Sequence, residues 1–214
     1  RPAPSDWVLD RGTLVLAIKP QVLDLVAAQL KPHLGKDVVV VSILAGVPVA
    51  RLRAAMGTER VVRTMPNLAL MAGAGATAIA IDGLSPDILD RARQILAPTG
   101  EVVEVLEAQL DAVTGLSGSG PAYVLKFLMS LEDGGVLAGL PRGVARKLAM
   151  ATVSGTMRWA TESGMELDAL RGQVTSPGGT TIYGLQALEA GGFTSSVMQA
   201  VQTATQRSKE LGKG

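Results

Sequence analysis

The chain has 214 residues, 47% of them hydrophobic but only 3% aromatic, and carries a formal net charge of +1. Near-neutral charge and scarce aromatic rings exclude an electrostatic or base-stacking nucleic-acid binder. Cys 0 excludes disulfides, thiolate catalysis and cysteine metal sites together, and no metal ligand set is expected.

The first residues, Arg1-Pro2-Ala3-Pro4-Ser5-Asp6, lack the apolar core of a signal peptide. The longest apolar stretch, Val38 to Ala50, is broken by Ser42, Gly46 and Pro48 and falls short of the roughly 20 residues that a membrane span needs. A cytoplasmic protein without a membrane partner is the expectation. Thr13-Leu14-Val15-Leu16-Ala17-Ile18 is a short apolar run of the kind buried on both faces of a sheet. Val22 to Leu30 follows with Leu23, Val26, Ala27 and Leu30 at helical spacing. Lys31-Pro32-His33 then reads as a helix end, where a lone histidine is expected to be a surface residue. Val38 to Ile43 predicts the next strand and Val49 to Met56 the next helix. Val61 to Met65, Ala76 to Ile81 and Val102 to Leu106 complete the strands, with a helix over Pro86 to Leu96.

Strands alternating with helices predict a mostly parallel sheet with helices on both faces. From Asp111 the strand signals stop. Pro121 to Ala138, Arg142 to Glu162, Leu167 to Gln173, Thr180 to Ala190 and Thr194 to Leu211 read as helices, punctuated by Leu140-Pro141 and Gly191-Gly192. In the last helix Val197, Ala200, Val201, Ala204, Ser208 and Leu211 form a narrow stripe expected to bury against another helix, within the subunit or across a dimer. Trp159 is expected in the core. The expected organisation is an α/β Rossmann-like dinucleotide-binding domain over 1–108, followed by an all-α domain over 109–214.

A dinucleotide site of this class opens with a strand, a G-x-G-x-x-G/A turn and a helix. Gly73-Ala74-Gly75-Ala76-Thr77-Ala78 matches the spacing but leads into a strand-like run, so it is expected to be a decoy. The first strand, glycine turn and helix of such a domain are not in the sequence. A different candidate is Thr175-Ser176-Pro177-Gly178-Gly179-Thr180-Thr181, which opens a helix. Free N–H groups and the positive dipole end suit a small anion there. Gly178 and Gly179 permit close approach, and Thr180 and Thr181 can cap the helix or bond a ligand.

These segments resemble the pyrroline-5-carboxylate reductase family. The resemblance covers Thr13 to Lys213 and rests on blocks in order: Leu16-Ala17-Ile18-Lys19-Pro20-Gln21, Ser42-Ile43-Leu44-Ala45-Gly46-Val47, Met65-Pro66-Asn67, Leu116 to Tyr123, Asp133-Gly134-Gly135-Val136, Gly139-Leu140-Pro141-Arg142 and Val174 to Thr181. It implies hydride transfer from NADPH or NADH to the C=N carbon of a cyclic imino acid, giving proline. It implies further that Ser176, Gly178, Gly179, Thr180 and Thr181 bind the substrate, with the Thr181 hydroxyl bonding the ring nitrogen in a mainly orientational role. Ala17, Lys19, Pro20, Ala45, Gly46 and Asn67 resemble the cofactor-contacting edge. A homodimer built on the helical domain is implied, with a ring of dimers as a further step.

The resemblance has departures. Leu68-Ala69 stands where the family continues from the Met-Pro-Asn block with Thr-Pro. Trp7-Val8-Leu9-Asp10-Arg11 looks like the family's second strand, whose basic end would let Arg11 favour NADPH. Only Gly12 separates it from a segment the family places much later, and a parallel crossover needs about a dozen residues or more. A junction between Arg11 and Gly12 is therefore expected, as in a chain stitched from pieces of a longer protein. Two other readings stand beside this one. One is a 3-hydroxyacid-type dehydrogenase of the same layout, disfavoured because Lys126 and Lys147 lack a matching motif. The other is a non-catalytic binding or assembly module.

Overall fold

The computed structural model describes residues 9–212. They form two compact units: 9–121 together with 200–212, and Ala122–Gln199. Trp7 and Val8, expected in a strand, lie outside the described residues.

The first unit is a five-stranded sheet in sequence order. Its elements are β1 (Leu9–Leu16), α1 (Leu23–Leu30), β2 (Leu34–Ser42), α2 (Val49–Met56), β3 (Val61–Pro66), β4 (Gly75–Ala80), α3 (Pro86–Leu96), β5 (Gly100–Val105) and α4 (Leu110–Val113). Three of the four pairings are parallel, and β3 with β4 is antiparallel. Val38 to Val41 are fully buried because successive side chains enter different cores. Val40 packs with Leu23, Leu30 and Leu52 of α1 and α2, while Val39 and Val41 pack with Ile88, Ala92 and Leu96 of α3. Helices thus cover both faces, as the alternation of strands and helices predicts.

The expected junction between Arg11 and Gly12 is not where one strand stops and another starts. Both lie inside β1, in continuous parallel register with β2: Arg11 opposite Asp37, Gly12 opposite Val38, and on to Leu16 opposite Ser42. The irregularity falls earlier, between Leu9 and Arg11. The Gly73–Ala78 match is indeed a turn into a strand. Gly73 ends a short 3-10 turn at φ +67, and β4 begins at Gly75.

The second unit holds most of α5 (Gly120–Leu137), then α6 (Arg142–Ser163), α7 (Leu167–Gln173) and α8 (Thr180–Ala190), and the start of α9 (Phe193–Leu211). Its helices bury little. Among its described residues only Glu132, Ala145, Ala149 and Leu170 are buried. Ala145 packs on Gly135, where an added Cβ would stand 3.0 Å from the Ala145 methyl. Phe127 and Phe193 pack with ring centroids 6.0 Å apart. Leu125, Met129, Leu148, Met157 and Tyr183 are all more than half exposed. Trp159, expected in the core, is 37% exposed in the single chain, because the small-residue helices around it form no deep interior.

The stripe on α9 divides. From Ala200 to Ser208 it faces inward on the first unit: Gly115 lies so close to α9 that a Cβ on it would collide with Thr205 and the Val201 carbonyl. Val197 and Leu211 stay exposed. The compact units divide the chain elsewhere than at the expected 108/109, because residues 109–121 and the end of α9 both cluster with the sheet.

Candidate functional site

Register aligns three strand ends. Leu16 pairs with Ser42 and Ser42 with Arg63, so these residues share a level across β1, β2 and β3. Beyond it, on the carboxyl side of each strand, lie Ala17 to Pro20, Ala45 and Gly46, and Asn67. In open α/β sheets ligands gather outside the carboxyl ends of parallel strands. The structure therefore brings six of the seven expected cofactor residues to one edge. Ala17, Lys19 and Ala45 are exposed there, and Pro20 opens a 3-10 turn over Pro20–Val22.

Arg11 is the exception. It lies five residues before Leu16 on β1, roughly 17 Å short of that edge at about 3.3 Å per residue. It is exposed on the strand and does not join the others.

The edge is built by bonds that tie its turns down. Gly46 sits at φ +74, a left-handed conformation suited to glycine, between β2 and α2. Gly212, at the end of α9, comes down beside it: a Cβ on Gly46 would be 3.4 Å from the Gly212 nitrogen. Asn67 Oδ1 accepts from the N–H groups of Ala69 at 3.2 Å and Ala76 at 3.1 Å, closing the loop between β3 and β4. Its carbonyl oxygen is thus spent on structure, and the Nδ2 donor is the part left for a ligand. Leu68 and Met71 in that loop are 79% and 82% exposed, so the departure at Leu68-Ala69 puts apolar surface where the family carries Thr-Pro.

Two residues at this edge escaped sequence reading. Arg63, in the middle of β3, is buried, and its Nη1 donates to Glu107 Oε1 at 3.1 Å. The same oxygen accepts from the Val49 N–H at 2.7 Å, at the start of α2. A lone arginine in the apolar run Val61-Val62-Arg63 was the signal, since buried arginines need a partner. The partner itself had no local trace.

In the second unit, Ser176 to Gly179 form a type II turn. Gly179 N–H donates to the Ser176 carbonyl at 3.0 Å, with Pro177 in the second position and Gly178 at φ +67 in the third. Gly179 is then the N-cap of α8, and no side chain caps that helix. Among the described residues neither the Thr180 nor the Thr181 hydroxyl has a hydrogen-bond partner, and both residues are exposed. Of the two options for these threonines, capping is therefore not taken. The first N–H groups of α8 and two hydroxyls face outward, a cluster of donors at the positive end of the helix dipole. On the neighbouring surface a cavity of about 500 Å³ is lined by Asp168, Arg171, Thr175, Ile182 and Glu189 among others.

Elsewhere in this unit Glu132 accepts from Arg146 Nε at 2.9 Å and from Arg142 Nη1 at 2.9 Å. The hydrogen bonds from Arg146 first, then Arg142, hold the Glu132 carboxyl below its ordinary value, and Glu132 in turn raises both arginines. No group of three His, Cys, Asp or Glu among the described residues could hold a metal ion. No helix among them is long and apolar enough to cross a membrane.

The family model for pyrroline-5-carboxylate reductase dimerisation matches residues 107–211. A pyrroline-5-carboxylate reductase of Synechocystis is 49% identical over 201 residues, covering 94% of this chain and 75% of the relative. The crystal structure of Plasmodium falciparum pyrroline carboxylate reductase with NADP bound superposes with a TM-score of 0.87 at 30% identity, covering 99% of this chain and 81% of that one. A pyrroline-5-carboxylate reductase structure from Coxiella burnetii gives 0.91 at 34% identity, with 97% and 78% covered. The chain thus spans about three quarters of the length of the Synechocystis relative.

Proposed function

The chain belongs to the pyrroline-5-carboxylate reductase family, and from that premise we propose how its residues divide the work of reducing 1-pyrroline-5-carboxylate to L-proline with NAD(P)H. The observation that carries the assignment is the uncapped start of α8 behind the Pro177-Gly178 turn, a set of unspent donors of the right size and sign for a carboxylate. Family membership sets aside both the 3-hydroxyacid dehydrogenase and the non-catalytic module.

The nicotinamide cofactor, when bound, supplies the hydride. The residues at the strand ends suit it: an exposed Ala17, Lys19 and Ala45, the tight Gly46 turn, and Asn67 with its Nδ2 unspent. Lys19 brings positive charge for phosphate, and Ala45 and Gly46 let the dinucleotide lie close to the backbone. Among the described residues no G-x-G-x-x-G turn leads from a strand into a helix, so the pyrophosphate is not assigned to one here. Arg11, far from this edge, receives no part in cofactor choice.

The substrate carboxylate sits on the N–H groups of Gly178, Thr180 and Thr181, with Gly178 and Gly179 admitting it to the backbone. An iminium carbon is already electrophilic, so the protein's task is positioning more than acid catalysis. The Thr181 hydroxyl bonds the ring nitrogen and aligns the C=N face. As the hydride reaches carbon, the iminium nitrogen keeps its proton and becomes the neutral secondary amine of proline, which takes its second proton from solvent, so no strong acid is required from the chain.

The shallow interior of the second unit supports a homodimer, in which a second copy covers its exposed apolar helices. A cytoplasmic setting suits this chemistry, which needs a pool of reduced dinucleotide. The test is direct: purified protein, pyrroline-5-carboxylate and NADPH or NADH, with cofactor oxidation and proline followed together. Proline formed in step with cofactor consumption is the expected result, and consumption without proline defeats the assignment. Sedimentation of the same sample reads dimer and ring of dimers.

A further inference from the structure

We propose that Glu107 is a positioning residue for the cofactor, acting through the Ala45–Gly46 turn that it never needs to touch. This rests on the assignment of that turn to the nicotinamide cofactor.

The first N–H groups of a helix have no acceptor within it. At α2 the preceding residue is Pro48, which supplies no side-chain cap. The acceptor for Val49 N–H comes instead from Glu107, 58 residues later, at 2.7 Å. The same carboxylate oxygen is the counter-ion of Arg63, whose side chain is only 10% exposed. One oxygen therefore neutralises a buried guanidinium and the positive end of a helix at once. Glu107 is itself fixed, its N–H donating to Asp82 Oδ2.

The other end of the turn is tied as well. Thr64 Oγ1 donates to the Ser42 carbonyl at 3.0 Å, and Leu44 N–H donates to Ser42 Oγ at 3.3 Å. Residues 43–48 therefore span two anchored points, with Gly46 in its left-handed conformation between them and Gly212 pressed against it. Thr64 and Arg63 are neighbours on β3. A single strand thus sets both anchors, one directly and one through Glu107. A binding turn held in its bound shape spares the cofactor the cost of ordering it, and a displacement of about 1 Å can cost up to about 100-fold. Nothing in this arrangement gives Glu107 a chemical step.

The experiment compares Glu107→Gln and Glu107→Ala with the parent. Gln keeps the volume and an acceptor for Val49 but loses the charge that faces Arg63, and Ala loses both. The expected result is a KM and fluorescence Kd for NADPH raised about tenfold or more in Glu107→Ala and less in Glu107→Gln. The kcat at saturating NADPH and the KM for pyrroline-5-carboxylate should stay within about twofold, a split that general loosening of the fold would not produce. Unchanged cofactor affinity in both variants overturns the proposal, and so does an equal loss in kcat. If Glu107→Ala does not fold, Glu107→Gln decides alone by the same split. Hydrogen exchange in the parent separates this from failure of the underlying assignment. NADPH should slow exchange across residues 44–49. Absence of that protection removes the turn from the cofactor site, whereas protection with a parent-like Kd in the variants removes only Glu107.

Discussion

Ser208 Oγ donates a 2.6 Å hydrogen bond to Oδ1 of Asp111, a residue 97 positions earlier in the chain. Ser208 is buried, and this bond fastens the end of α9 to the start of the helical segment beside the sheet. A hydroxyl bonded to a carboxylate contributes about 1.5–3 kcal/mol, and its loss leaves the acceptor short of a partner. Ser208→Ala should lower the urea midpoint accordingly, with the slope of the transition unchanged. A midpoint equal to that of the parent would show that α9 is held by packing alone.

Thr181 is exposed, and among the described residues nothing bonds its hydroxyl. Thr181→Ala should therefore cost turnover and not stability: kcat down about 10- to 100-fold, from one positioned hydrogen bond to a charged partner worth about 1.5–3 kcal/mol. NADPH affinity should be retained. Parent-like kcat would take Thr181 out of the mechanism, and Thr181→Ser, which restores the hydroxyl, should recover most of the rate.

Ala145 and Ala149 are buried inside the second unit, so a charge there would disrupt the subunit itself. Leu148, on the same helix and 54% exposed, is the cleaner probe of association. Leu148→Glu should give a dissociated and inactive chain by sedimentation and activity assay, with a lower melting temperature than the parent. An active dimer with glutamate at 148 would place the partner on another face.

The Glu132–Arg146–Arg142 cluster predicts a sign for acid stability. The carboxyl of Glu132 is held below its ordinary value of 4.5 by hydrogen bonds from Arg146, then Arg142. The folded state therefore favours the ionised form. Its contribution is complete above 4.5 and is lost as pH falls through the lower folded value. In Arg146→Gln the decline of Tm below 4.5 should be shallower than in the parent. Coincident curves, offset by a constant, would remove Glu132 from acid unfolding.

Local grammar explains what the sequence disclosed. Val49–Met56 and Pro86–Leu96 were legible to the residue because proline opens each segment and apolar spacing continues it. The donor-rich turn at 175–181 was legible for the same reason: Pro177, Gly178 and the start of α8 are contiguous. What stayed hidden was set by distant partners. The continuity of β1 through Arg11 and Gly12 depends on β2 supplying a register, and the clasp of Asn67 on Ala76 depends on a strand reversal. Residues 107–118 have no periodicity, so α4 and the wide turn after it were passed over. Glu107 could not be read from neighbours 44 and 58 positions away.

The shallow burial of Ala122–Gln199 has a thermal consequence. A fold completed by a second copy draws its stability from mass action, so dilution works as a denaturant. The melting temperature should climb with protein concentration. Inactivation at enzyme-assay dilutions should begin in these helices, ahead of the sheet with its fully buried valines.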